Sequence, residues 1–244
     1  VLCSVFTLSA QTYNWSARMG GNKTTPIPTE DAIRDIAVDA SGNVYVVGYY
    51  TASMTMPVAP LTATNGGLQD IFLAKYNSAG VMQWYQKAGV AQGDKGLSIA
   101  VNSAGEVYMA GSFQGSVFFK FAVGGNLASN GANPDMCLVK YTAAGAVAWS
   151  RGVGSPGPDE AVAVALDPSE NPYIAGYISA GTTNVYTEGN FPGPVIGTMT
   201  SNGQLDVALI QFTPAGAYTT SYVYGSVAGS EKPTQMKIDA SGNV

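Results

Sequence analysis

The sequence predicts an all-β chain made of a repeated unit of four antiparallel strands, and three observations carry that reading. One phrase recurs: IAVDASGNVYVVG (36–48) with DIFLAKYNSAGVMQW (70–84), then IAVNSAGEVYMAG (99–111) with DMCLVKYTAAGAVAW (135–149), then a looser VALDPSENPYIAG (164–176) with DVALIQFTPAGAYTTSY (206–222). A fourth copy opens at MKIDASGNV (236–244). The matched residues Asp39, Asn102, Asp167 and Asp239 lie 63, 65 and 72 residues apart, a period whose scatter belongs in loops. Within each copy, short runs rich in β-branched and aromatic residues alternate apolar with polar, the period of a strand and not of a helix.

Each element follows from its residues. The first strand closes on the acid or amide: AIRDIAVD (32–39), GLSIAVN (96–102), AVAVALD (161–167). ASG, SAG or PSE then turns the chain into the second strand, VYVVGYY (44–50), VYMAGSF (107–113) or PYIAGYI (172–178). The third strand is DIFLAKY (70–76), DMCLVKY (135–141) or DVALIQF (206–212), and NSAG, TAAG or TPAG leads into a fourth strand that carries Trp84 or Trp149. Both turn types place Gly where positive φ is needed, beside Asp, Asn or Thr able to bond local backbone. The connections 51–69, 112–134 and 178–205 hold nearly all the length variation and are expected to be long, irregular loops on one face, with VFFKF (117–121) prolonging the second strand there. The repeats span about 31–89, 94–154 and 159–225, with a partial fourth over 231–244, as one array over 11–244.

Four-stranded antiparallel units without helices predict blades of a β-propeller: three full blades and the first strand of a fourth, a fragment of a ring continued beyond Val244. Val1–Ala10 is apolar and closes on small residues, and it reads as the remnant of a secretory signal peptide, too short to cross a bilayer.

Asp39, Gly42, Asn43, Tyr45, Gly48, Asp70, Phe72, Lys75, Tyr76, Gly80 and Trp84 together resemble the bacterial SBBP β-propeller repeat. The second copy keeps most of the pattern, with Asn102 and Glu106 at the polar turn positions. The third departs furthest, with Glu170 for the turn Gly, Gln211 for Lys and Phe212 for Tyr. The resemblance implies a propeller and an exported or cell-surface protein of a Gram-negative bacterium. It implies no activity.

The chain has no His, which removes His-based nucleophile activation, His-ligated zinc and imidazole proton transfer. A net charge of −5 with 11 dispersed basic residues offers no footprint for nucleic acid. With Cys3 in the leader segment, Cys137 stands alone at the core position that Phe72 and Ala208 hold in the other repeats.

Several residues invite a functional reading. Asp39 and Asn43 could supply oxygens to calcium, or simply form a turn. Trp15, Trp84 and Trp149 could stack on sugars, or pack between repeats. Asp70, Asp135 and Asp206, with Asp31, Asp94, Asp159 and Glu231, could ring a channel, or cap loops. Lys75 and Lys140 read as halves of solvated or inter-repeat ion pairs. Only Asp159 with Glu160, or Tyr186 with Glu188, breaks the repeat symmetry enough to suggest catalysis.

The expectation is therefore a non-catalytic secreted or cell-surface scaffold that binds a protein or glycan, with no cofactor, no metal, no nucleic acid and no transmembrane segment. No catalytic residue is assigned, and its binding residues are unknown. A carbohydrate-active or sugar-binding propeller and a structural spacer are the alternatives.

Overall fold

A computed structural model describes residues 15–16, 30–51, 53–56, 61–62, 68–89, 92–118, 126–130, 132–187 and 193–244. The leader segment 1–10 lies outside them. The described residues form strands and no helix, so no helix is long and apolar enough to cross a membrane.

Each full repeat is a four-stranded antiparallel meander. The first joins β1 (Ala32–Val38), β2 (Val44–Thr51), β5 (Gln69–Tyr76) and β6 (Met82–Ala88) in that order. The second joins β7 (Lys95–Val101), β8 (Val107–Phe113), β11 (Asp135–Tyr141) and β12 (Val147–Gly154), and the third β13 (Glu160–Leu166), β14 (Pro172–Thr187), β15 (Val195–Phe212) and β16 (Tyr218–Tyr224). Residues 232–238, where the sequence predicts the first strand of a fourth repeat, form no strand, since no second strand of their own repeat pairs with them among the described residues.

The turn after the first strand has one design four times over. Asp39 Oδ1 accepts the amides of Ser41 and Asn43 at 2.9 Å each, and Oδ2 accepts the Asn43 side-chain amide at 2.8 Å. Asn102, Asp167 and Asp239 accept the matching backbone amides. The equivalence expected for Asp39, Asn102 and Asp167 holds: each follows the last residue of its first strand.

The long connections differ from expectation. They contain β3 (Ser53–Met54) with β4 (Leu61–Thr62), and β9 (Ser116–Phe118) with β10 (Asn126–Ala128). In the third repeat, β14 and β15 simply continue pairing to Tyr186 and Val195. The cause lies in 178–187 and 195–205, which are free of Pro and full of Thr, Val and Ile; the conspicuous Gly and Ser in this stretch concealed a ribbon. The end of that ribbon crosses to the second repeat, where Asn184–Thr187 pair with Gly154–Arg151 of β12 and fuse the two meanders into one sheet.

The core lies between meanders. Tyr45, Val47, Ile71 and Leu73 of the first repeat pack with Ile99, Met109, Cys137 and Val139 of the second, all buried. Tyr108, Ala110, Met136 and Leu138 of the second pack with Val164, Ile174, Ala208 and Ile210 of the third. Cys137 is thus a buried free thiol in the core position the sequence assigns it.

The tryptophans set the register between repeats. Trp84 Nε1 donates to the Ala143 carbonyl at 3.1 Å, and Trp149 Nε1 donates to Pro214 at 3.1 Å; both acceptors lie in the next repeat's turn between third and fourth strands. Lys75 and Lys140 donate to the same two carbonyls, and Gln86 and Arg151 reach Gly145 and Gly216. The indoles rest on glycines: a Cβ on Gly80, Gly145 or Gly216 would come within 2.6 to 2.8 Å of Trp15, Trp84 or Trp149. Gly145 (φ 85) and Gly216 (φ 81) also need the left-handed region, whereas Gly181 (φ 100) needs it in open space.

Replacing Gly145 or Gly216 by Ala therefore combines backbone strain, roughly 1–2 kcal/mol, with displacement of a tryptophan. Gly181→Ala carries the strain alone. Urea unfolding is expected to show the first two variants losing at least ~1 kcal/mol more than the third.

Candidate interaction surface

The sequence-derived candidates separate cleanly once their neighbours are known. The Asp39 carboxylate is consumed by its own turn, and it also accepts the Tyr45 hydroxyl at 3.0 Å. Burial alone would raise its pKa, yet the hydrogen bonds from Asn43, Tyr45 and Ser41 hold it below the usual carboxylate range. No group of three or more acids or thiols able to hold a metal occurs among the described residues.

The indole rings are packing elements. Trp149 is buried, Trp84 is half-buried, and each packs against the neighbouring turn. Lys75 and Lys140 stand over the Tyr45 and Tyr108 rings at 5.0 and 5.3 Å. Lys140 also pairs with Glu106 at 2.6 Å, and this contact holds Glu106 below its usual pKa.

The acids cap loops. Asp31, Asp94 and Asp159 each accept the amide twenty residues on, from Thr51, Gln114 and Ser179. Asp135 and Asp206 accept amides from Asn130 and Asn202 at the base of their own hairpin arms. Asp70, Asp135 and Asp206 each press on a glycine at the end of strand four, Gly89, Gly154 and Gly225, where a Cβ would collide with the carboxyl. That 19-residue Asp-to-Gly spacing was legible in the sequence and passed over.

Asp159 is fully buried between Ser155 and Ser179, Tyr186 is buried in the β14–β12 pairing, and Glu188 lies outside the described residues. Asp159 thus serves a loop and Tyr186 a strand pairing.

Glu170 explains the third repeat's departure from pattern. It occupies the turn position of Gly42 and Gly105 at φ 62, and its carboxylate accepts Ser103 N at 2.9 Å and Asn102 Nδ2 at 3.1 Å from the second repeat. The bond from Ser103 lowers its pKa most.

The repeats share an opening among their first strands. Each carries a bulge at the same place, marked by register shifts at Ile33/Asp35, Gly96/Ser98 and Ala161/Ala163. Bulges re-aim side chains, and the residues at and after these line a cleft of about 280 Å³. Its wall pairs Arg34 and Asp35 with Leu97 and Ser98, Val162 and Ala163, and Thr234 and Gln235, the same two repeat positions four times.

A polar chain ties this wall together. Val164 N donates to Ser98 Oγ at 3.1 Å, Ser98 Oγ donates to Asp35 Oδ2 at 2.9 Å, and Ile99 N donates to the same oxygen. Arg34, Thr234 and Gln235 stay exposed and present a guanidinium, a hydroxyl and an amide. Sequence reading missed the cleft, although variation at these two positions inside a constant frame was its visible trace.

Comparison with known proteins finds partial relatives. The chain is 26% identical over 172 residues to an uncharacterized WD repeat-containing protein of Acanthamoeba polyphaga mimivirus, covering 60% of this chain and 12% of that protein. It is 31% identical over 152 residues to the regulatory protein FlaEY of Caulobacter vibrioides, covering 61% of this chain and 16% of that protein. The chain thus spans less than a fifth of either relative's length. No protein-family model matches it, so the SBBP likeness rests on the quoted residues.

The buried acids generate a pH dependence. Burial pushes the Asp135 pKa up to about 8, with the nearby Asp159 charge adding to it. For an acid whose folded pKa exceeds its unfolded value, the folded state holds the extra proton, so stability is fullest in acid and is lost as pH rises toward 8. Asp135→Asn is expected to remove this loss, so that its gain over the parent is larger at pH 8 than at pH 5 by at least ~2 kcal/mol. Chemical unfolding at both pH values checks it; equal gains at both would contradict it.

Proposed function

We propose that the meanders are blades of a β-propeller of the SBBP type and that the chain serves as an exported, non-catalytic scaffold for protein binding. The observation that carries this reading is the cleft, where four repeats set different side chains at two fixed positions around one opening. Such an arrangement gives each partner a distinct pattern of polar and apolar contacts on an unchanging frame, which is how a repeat architecture acquires specificity. The cleft wall presents one guanidinium, one carboxylate, two hydroxyls and an amide beside apolar side chains, and this mixture suits the backbone and side chains of a peptide. The WD repeat-containing relative supports the propeller reading. The packed tryptophans disfavour a sugar platform.

The same reading proposes further blades. Ile36 is 59% exposed on β1, whereas its counterparts Ile99 and Val164 are 5% and 6% exposed against the preceding repeat. Val38 and Ile33 are open in the same way. A neighbouring blade seated there would bury all three.

The test is affinity capture from a Gram-negative host's exported fraction with the parent chain and with Arg34→Glu/Gln235→Ala, two exposed positions outside the core. A specific protein partner is expected to fall about tenfold with the variant, a change of roughly 1.4 kcal/mol. Undiminished capture, or binding to glycans alone, would contradict the proposal.

A further inference from the structure

We infer that the cleft among the first strands is a receptor for a carboxylate, the Asp or Glu side chain of a protein partner. The inference rests on the reading of this cleft as a protein-binding surface, and a gap in a regular pattern carries it. In each full repeat, one first-strand amide just after the bulge bonds to a side chain. Ile36 N donates to Asp35 Oδ1 at 2.8 Å, Ile99 N to Asp35 Oδ2 at 2.9 Å, and Val164 N to Ser98 Oγ at 3.1 Å. For Ile99 and Val164 the acceptor is the residue at the second cleft position of the preceding repeat, Asp35 and then Ser98. Next in that series stands Ala163, and the amide it would serve is that of Met236, which lines the same cleft. A methyl group accepts nothing, and Met236 N has no acceptor among the described residues.

Pairing with a second strand would not reach this amide. Asp239 N bonds to the Asn243 carbonyl just as Asn102 N bonds to Glu106 and Asp167 N to Asn171. Antiparallel alternation from that bonded pair turns outward the amide three residues earlier, which is Ile99 in the second repeat, Val164 in the third and Met236 here. The exposed groups around it are donors as well: the Arg34 guanidinium, the Thr234 hydroxyl and the Gln235 amide. The wall's own carboxylate, Asp35, is engaged by Ile36 N, Ser98 Oγ and Ile99 N. What this cleft of about 280 Å³ lacks is an acceptor, and a carboxylate supplies two oxygens and the charge that matches Arg34. Seated at Ala163, it would do for Met236 what Asp35 does for Ile99. Leu97 and Val162 offer apolar wall to the methylene stem of an acidic side chain, which favours a peptide over an acidic sugar.

The probes are N-acetylglutamate α-amide and N-acetylglutamine α-amide, alike except for the carboxylate, titrated into the full chain and followed by amide NMR. Saturable binding of the acid is expected, with the Met236 amide proton moving downfield, and the glutamine form is expected to bind about tenfold more weakly or worse. Ala163→Ser copies Ser98, so it is expected to bond Met236 N internally, protect that amide from exchange and weaken the acid about tenfold. The Met236 shift in the parent decides the case even if the variant folds poorly. Equal binding of the two probes at the cleft would overturn the carboxylate assignment and leave protein binding there standing; failure of that broader reading shows separately, as capture undiminished by Arg34→Glu/Gln235→Ala. Acid binding that leaves Met236 unmoved, no binding of either probe, or tighter binding of glucuronate than of the glutamate probe would also overturn the inference.

Discussion

Everything in this molecule depends on how one meander grips the next, and the grip is a bond from an indole to a turn. A four-stranded sheet of about seven residues per strand cannot bury both faces by itself, so its stability comes from its neighbours. Apolar stacking between sheets has no preferred register. The bonds from Trp84 and Trp149 to Ala143 and Pro214 supply one, because each fixes a single carbonyl of the next repeat at 3.1 Å. Lys75, half-buried, and Lys140, buried, share those carbonyls, so the acceptors are doubly satisfied and the ammonium groups are not left unpaired. Glycine beneath each indole lets the ring approach the turn backbone.

A second set of ties works at the opposite edge of the sheets, among the first strands and the turns that follow them. Val164, Ser98 and Asp35 link three successive first strands through two hydrogen bonds, and Glu170 links the turns of the second and third repeats. These polar ties are few and each is local, whereas the apolar interfaces they orient are broad. Burial supplies the free energy and the polar ties supply the geometry. The cost appears in Asp135, whose carboxyl caps its arm only by accepting a site where ionisation is unfavourable.

Much of the fold was legible because repetition averages out local ambiguity. Asp39, Asn102, Asp167 and Asp239 sit in equivalent turns, Cys137 is a core residue, and all four strands of each repeat fall where alternation put them. The arm of β14 and β15 was not legible, because Ser179–Thr183 and Gly197–Gly203 look like loop and pair only through long-range context. Glu170 looked like a defect because its partners, Asn102 and Ser103, lie 67 or more residues away. The cleft escaped notice because a bulge leaves no composition signature: Arg34, Leu97 and Val162 share a place and nothing else. Candidates built from recurring acids and tryptophans turned out to be architecture for a simple reason: what every repeat keeps is what every repeat needs to stack.

The most direct test of this account is hydrogen exchange on Trp149→Ala compared with the parent chain. If the indole-to-turn contact sets the junction, protection falls together in β11, β12 and the facing strands β13 to β15, while β1, β2, β5 and β6 keep theirs. Loss confined to the few amides around position 149, with the facing strands as protected as before, would contradict the claim that this contact holds one repeat on the next.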